Sequence, residues 1–311
     1  MRLAHAALLI VALTACGGAL SADQFPNAAG GRIAFAVNRD GWNEIWTMRA
    51  NGKARRRLTR LAPRGTDASG NQQPAWAPSG DRIAYIGSAA RRRESESDLE
   101  LYLMRADGSG KRRVTSNQAA DLLPSWSPDG ARIAFARGFR IGSQDAATAI
   151  YTIGVDGREE KELVRASIPT FVLDPAWSPD GRSIAYARTT YTRAATEYGI
   201  YVINSDGSSD QKLIGRAAEP AWSPDAKRIA FVSDRDHNGR CLFHDCEGFA
   251  PEVYLMRADG SEVRRVTHSP ATDVNPAWSP DEKALPSRGS AAKTVTTRST
   301  PFVPTGAGSG N

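Results

Sequence analysis

The 311 residues, 41% hydrophobic and 24% charged, carry enough apolar surface for a sizeable core, which excludes wholesale disorder. No run approaches the roughly 18 apolar residues of a spanning helix, and three cysteines cannot form a disulfide scaffold, so a multi-span helical membrane protein and a cysteine-stapled miniprotein are excluded too. The 40 Lys and Arg outnumber the 34 Asp and Glu, for a formal charge of +6.

In chain order, Met1-Arg2 and the apolar stretch Leu3 to Leu13 have the charged start and short hydrophobic core of an export signal, so residues 1–22 are set aside as an address. Leu13-Thr14-Ala15-Cys16-Gly17 looks like the lipobox at which bacterial lipoproteins are cleaved and acylated, which makes Cys16 a lipid anchor. The alternative is ordinary cleavage after Ala19-Leu20-Ser21, with Cys16 discarded. Either route leads to an oxidising compartment, and the expected location is periplasmic or membrane-anchored in a bacterium. Export sets nucleic acid aside as a partner despite the basic charge. Arg55-Arg56-Arg57, Arg91-Arg92-Arg93 and Lys111-Arg112-Arg113 are expected to face solvent, with anionic envelope surfaces still open to them.

Residues 31–281 are built from repeats. Pro-x-Trp-x-Pro occurs at Trp76, Trp126, Trp177, Trp222 and Trp278, at spacings of 50, 51, 45 and 56 residues. After each of the first four comes a turn and then a short apolar run, Ile83-Ala84-Tyr85, Ile133-Ala134-Phe135, Ile184-Ala185-Tyr186 and Ile229-Ala230-Phe231; Ile33-Ala34-Phe35 appears early without a preceding frame. A third run, such as Leu101-Tyr102-Leu103-Met104, ends in Asn-Gly or Asp-Gly, which supplies the positive φ a tight hairpin needs, so a fourth antiparallel strand must follow. Four-stranded units at a period near 50 are β-propeller blades: the predicted fold is all-β, with five countable units. Each Trp strand is expected innermost, where a proline's missing N–H costs no ladder bond. Residues 33–59 supply strands two to four of a blade and the Trp278 segment supplies a first strand, so joining them is expected to shut the ring. Residues 282–311, rich in Ala, Ser, Thr, Gly and Pro, are expected to be an irregular or disordered tail; a reading-frame slip or truncated gene would account for them.

The residues before the frame prolines, Gln73, Leu123, Asp174, Glu219 and Asn275, are expected to ring one mouth of the channel. The four polar ones, Gln73, Asp174, Glu219 and Asn275, suit a hard cation such as Ca²⁺ or a partner's basic side chain; the plainer alternative is that they cap strand entrances. Asp234-x-Asp236-x-Asn238-Gly239 with Asp245 superficially matches a calcium loop, but a polar β-turn explains it and the related Asn38-Arg39-Asp40-Gly41 together. Cys241 and Cys246 are expected to form a local disulfide, with zinc held by them and His244 the weaker alternative. No other cofactor is expected. A Gly-x-Ser-x-Gly nucleophile elbow is absent from the sequence.

Pro-Ala-Trp-Ser-Pro-Asp, then Ile-Ala-Phe, then Val-Tyr-Leu-Met-Arg-Ala-Asp-Gly, as in residues 220–231 and 253–260, closely resembles the WD-like repeats of the TolB-like propellers. The resemblance spans about residues 31–281. It implies a periplasmic scaffold that binds other proteins, notably a peptidoglycan-associated lipoprotein, and a ring of six blades, so a truncated six-bladed ring is the alternative to five. The family's amino-terminal α/β domain is absent from the stretch between the signal and Gly31. Similar repeats also form the propellers of prolyl oligopeptidases, so fold alone does not assign function. The expectation is a non-catalytic, monomeric, exported envelope scaffold that binds an envelope or peptidoglycan-associated protein, touching the membrane only through a lipid anchor. The rivals are an enzyme, hydrolase or lyase, with Asp174 and Glu219 as paired acid and base at the channel mouth, and a truncated product without function.

Overall fold

The computed structural model describes residues 31–39, 42–49, 51–60, 71–88, 99–140, 143–236, 251–268, 273–278 and 297–298. All of the regular structure among them is β. The first unit has three strands, β1 (Arg32–Arg39), β2 (Trp42–Arg49) and β3 (Arg56–Arg57). The second holds β4 (Gln72–Trp76), β5 (Arg82–Ser88), β6 (Leu99–Arg105) and β7 (Arg112–Arg113), and the third β8 (Ala120–Trp126), β9 (Arg132–Phe139), β10 (Ala147–Gly154) and β11 (Lys161–Ser167). The fourth is β12 (Thr170–Trp177), β13 (Ser183–Tyr191), β14 (Thr196–Asn204) and β15 (Gln211–Gly215); the fifth is β16 (Ala218–Trp222), β17 (Arg228–Ser233), β18 (Glu252–Arg257) and β19 (Arg264–Arg265). Each is an antiparallel meander, and the architecture is a β-propeller.

The Trp-bearing strands β4, β8, β12 and β16 lie at one edge of their sheets and pack against one another in succession, as inner strands must. The five frame tryptophans are 2% to 7% exposed, so each indole is spent on packing between units. A repeated hydrogen bond fixes the spacing of the units. The indole N–H of Trp126 donates to Ala75 O at 3.0 Å, that of Trp222 to Ala176 O at 3.1 Å and that of Trp278 to Ala221 O at 2.9 Å, each reaching the residue before the preceding unit's Trp. The fourth unit differs because Ser125 stands where its neighbours have Ala. Its hydroxyl accepts from the backbone N–H of Trp177, whose indole turns to Gly181 O instead.

The strand three to four hairpins refine the sequence expectation. Gly52, Gly108, Gly157, Gly207 and Gly260 have positive φ, but the Asn or Asp before each does not; the side-chain oxygens of those residues instead accept backbone N–H bonds from two residues on, as Asp107 does from Ser109 at 2.9 Å. Gly108 also has no room for a side chain, because a Cβ there would sit 2.9 Å from Leu58 O of the preceding unit.

The expected joining of the chain ends into one blade is not made among the described residues. β20 (Asp273–Val274), just before Trp278, pairs with β21 (Thr297–Arg298), while β1 has β2 as its sheet neighbour. Loop closure favours the nearer partner: a span tenfold shorter costs about 2 kcal/mol less.

Candidate functional site

The frame prolines sit in β-bulges. In β4, Gln72 pairs with Ile86 and Ala75 with Ala84, so Gln73 and Pro74 together oppose Tyr85; the same two-against-one slip recurs in β8, β12 and β16. The proline therefore lies where the ladder needs no donor. Its predecessor is forced left-handed: φ is 51° at Gln73, 56° at Leu123, 53° at Asp174, 53° at Glu219 and 54° at Asn275. No glycine occupies the position, although the left-handed region disfavours most side chains. In β4 and β16 the re-aimed side chains, Gln73 and Glu219, reach the equivalent residue of the next unit.

That re-aiming links one unit to the next. Leu123 N donates to Gln73 Oε1 at 2.8 Å, and Asn275 N donates to Glu219 Oε2. Leu123 has no acceptor to continue the series, and Asp174, one methylene shorter than Glu219, makes no such bond to the fifth unit. Asp174 and Glu219 are instead coupled by charge. Burial pushes the Asp174 carboxyl up to about 6. Burial, then the neighbouring Asp174 carboxylate, push Glu219 up to about 7, with the Asn275 N–H pulling the other way. Both side chains are surrounded by protein yet keep part of their surface accessible, as groups lining an axial passage do. Two neighbouring carboxyls that titrate near neutrality can hold one shared proton, or give it up to a cation.

The two rims of the ring differ. On one, the connections are uniform: five residues between strands one and two (77–81, 127–131, 178–182, 223–227) and six between strands three and four (50–55, 106–111, 155–160, 205–210, 258–263). On the other, the connections run from two residues (168–169) to eighteen (234–251). Tight turns close the first rim, and variable loops, the usual carriers of recognition, occupy the second.

Other expected sites fare differently. Asp234 is engaged by Arg216 at 3.0 Å and by the Tyr198 hydroxyl, and Asp236 by Arg265 at 2.5 Å, so both carboxylates of the superficial calcium loop already have protein partners. Asn238, Gly239, Asp245, Cys241, Cys246 and Cys16 lie outside the described residues, as do Arg91-Arg92-Arg93. Arg55, Arg56, Arg57, Lys111, Arg112 and Arg113 are exposed, as expected. Some of them also clasp: Arg56 donates to Asp107 O of the next unit at 3.0 Å, and Arg113 binds buried Glu100 at 2.6 Å.

Sequence reasoning missed two sets of buried charge. Glu44, Glu100 and Glu252 are buried residues of strand three and face Arg57, Arg113 and Arg265, while Thr59, Thr115 and Thr267 accept the N–H of the residue after each Glu. The signal was present: the units with Ala149 or Gly199 in place of Glu also lack the Arg and Thr, having Glu162 with Val164 and Lys212 with Ile214. The second set is Asp121, fully buried, bonded to Arg137 at 2.6 and 3.0 Å, with Arg137 also holding Glu160 at 2.7 Å and lying over Tyr151. Burial works against the Arg137 charge, but its bonds to Asp121 and Glu160 outweigh that and raise its pKa.

Residues 140–288 match a family model described as the TolB beta propeller domain. The chain is 32% identical over 214 residues to the uncharacterized peptidase YuxL of Bacillus subtilis, covering 68% of this chain and 28% of that protein. It is 29% identical over 198 residues to the Tol-Pal system protein TolB of Anaeromyxobacter dehalogenans, covering 59% of this chain and 41% of the relative. The chain thus spans well under half the length of these curated relatives. The crystal structure of TolB from Acinetobacter baumannii superposes with a TM-score of 0.58 at 22% identity, over 83% of this chain and 57% of the other, a likeness of fold. No helix among the described residues is long and apolar enough to cross a membrane.

Proposed function

Because the chain is a TolB-like β-propeller, we propose that it is an exported, non-catalytic cell-envelope scaffold that binds another protein through its variable rim and the passage beneath it. The contrast between the rims carries this reading. Four inner strands carry a bulge that turns the residue before the proline into the left-handed region, and connections of unequal length stand only at one end. A rigid ring with one recognition face is suited to hold a partner without chemistry of its own. The similarity to a Tol-Pal system protein supports an envelope partner.

An enzyme is the second reading. It is favoured by the coupled Asp174 and Glu219, whose raised pKa values would let one donate a proton while the other accepts, and by the similarity to a protein named as a peptidase. The test is affinity capture from solubilised envelopes beside turnover on envelope extracts, for the full chain and for Asp174→Asn/Glu219→Gln. Capture of a defined partner with no turnover supports the scaffold; a turnover lost in the variant overturns it.

A further inference from the structure

The net charge is concentrated in one sector of the turn rim. The first unit places Arg32, Arg49, Lys53, Arg55 and Arg56 there, and the one carboxylate among that unit's described residues, Glu44, is buried and held by Arg57. The second unit adds Arg82, Arg105, Lys111 and Arg112 against Asp81 and Asp107. Nine basic groups less two acidic ones leave an excess of seven, against +6 for the whole chain. In the other three units the rim's charges are matched, as in Arg132–Glu159 at 2.9 Å and Arg257–Glu262 at 2.7 Å.

The strand register sharpens this. Arg32 lies directly opposite Arg49, and Arg82 directly opposite Arg105. Like charges facing one another across a ladder destabilise a sheet. The fifth unit repeats the pairing, with Arg228 opposite Arg257, but there Glu262 holds Arg257 at 2.7 Å; the third unit sets Gly154 opposite Arg132 and the fourth sets Asn204 opposite Ser183, so the fold does not require it. Arg49, Lys53, Arg55, Arg105 and Lys111 are exposed, and none forms an ion pair among the described residues. The rim beneath them is built of short turns of constant length, with no long loop in these connections to hold a broad surface away.

We propose that this basic sector is a docking face for a bilayer rich in anionic lipid headgroups. Chain direction agrees with that orientation. β1 begins at Arg32, so the chain enters the domain on this rim, and Cys16, where the sequence places an acyl anchor, is sixteen residues away. Sixteen residues of chain can span at most about 55 Å. The anchor and the patch would then act on the same side, a pairing that membrane attachment by a single weak signal generally needs. The variable rim would face away from the bilayer, toward soluble partners.

The test is cosedimentation of the full chain carrying Cys16→Ser, so that no acyl group contributes, with phosphatidylcholine vesicles with and without about one third phosphatidylglycerol. Binding is expected only with phosphatidylglycerol, weakening at least tenfold between about 50 and 300 mM salt as screening tightens. Each basic side chain held near such a surface is worth about fivefold, and not all four need touch at once. Arg49→Gln/Lys53→Gln/Arg55→Gln/Arg105→Gln is therefore expected to bind at least about tenfold more weakly. Arg158→Gln/Arg182→Gln/Lys212→Gln/Lys227→Gln loses the same net charge from the balanced units and is expected to bind as the unsubstituted chain does. Equal loss in both variants, equal binding to neutral vesicles, or no vesicle binding beside salt-sensitive binding to heparin would each overturn the proposal. The lipid and salt dependence of the unsubstituted chain tests it without any variant.

Discussion

The coupled carboxyls on the axis make the stability of the ring depend on pH in a direction opposite to that of a salt-bridged acid. Asp174 and Glu219 titrate at about 6 and about 7 in the folded protein, against 3.8 and 4.5 when unperturbed. The folded state therefore holds protons that the unfolded chain has already released. Stability is full below about pH 4 as far as these two groups are concerned, and falls as pH rises through the folded values. At about 1.4 kcal/mol per pKa unit, the two together set an upper bound of about 6 kcal/mol. Water in the passage and the sharing of one proton reduce this to about 3 kcal/mol. The perturbation is Asp174→Asn/Glu219→Gln, which keeps the shape and removes the titration. Urea unfolding followed by tryptophan fluorescence from pH 5 to 8 is expected to show the unsubstituted chain losing stability across the range and the variant nearly flat. A variant with the same slope would refute the reasoning, because the titrating groups would then lie elsewhere.

Trp222→Ala removes an indole that is 5% exposed together with its bond to Ala176 O, and is expected to lower stability by about 3–5 kcal/mol in urea unfolding. Asp121→Ala leaves the Arg137 guanidinium buried with only the half-exposed Glu160 as a partner, for an expected loss of about 3–5 kcal/mol, whereas Asp121→Leu/Arg137→Met should recover most of it in a double-mutant cycle. Gly108→Val must place a branched side chain at φ +83° with its Cβ 2.9 Å from Leu58 O; a loss well above 1 kcal/mol is expected, read as a fall in melting temperature. Thiol titration of the exported protein with and without reductant tests the Cys241–Cys246 pairing, and two free thiols in the native form would refute it.

The order of strands, the inward position of Trp76 and its four counterparts, and the hairpins ending in Gly108 or Gly260 were all legible in the chain. These features depend on alternation and turn chemistry, which are set by residues a few positions apart, and fivefold repetition makes each instance confirm the others. The Glu, Arg and Thr of the buried triads could have been found in the same way, since Glu100, Arg113 and Thr115 vanish together from the units built around Ala149 and Gly199.

Other properties required the folded ring. The Pro-x-Trp motif shows that a donor is missing, but the register is needed to show that the missing donor falls in a bulge, and that the bulge turns Gln73, Asp174 and Glu219 into the left-handed region, with Asp174 near enough to Glu219 to raise its pKa. Asp174 and Glu219 are 45 residues apart in sequence, and their mutual repulsion exists only because two inner strands meet at the axis. The arginine runs look alike as text, yet Arg113 neutralises a buried Glu100, Arg56 clasps the next unit, and Arg49 stands opposite Arg32 with no acid beside it. Composition gives the amount of charge and spacing gives the elements. Which charges cancel, and which accumulate on a single rim, depends on distances through space that tertiary packing alone sets.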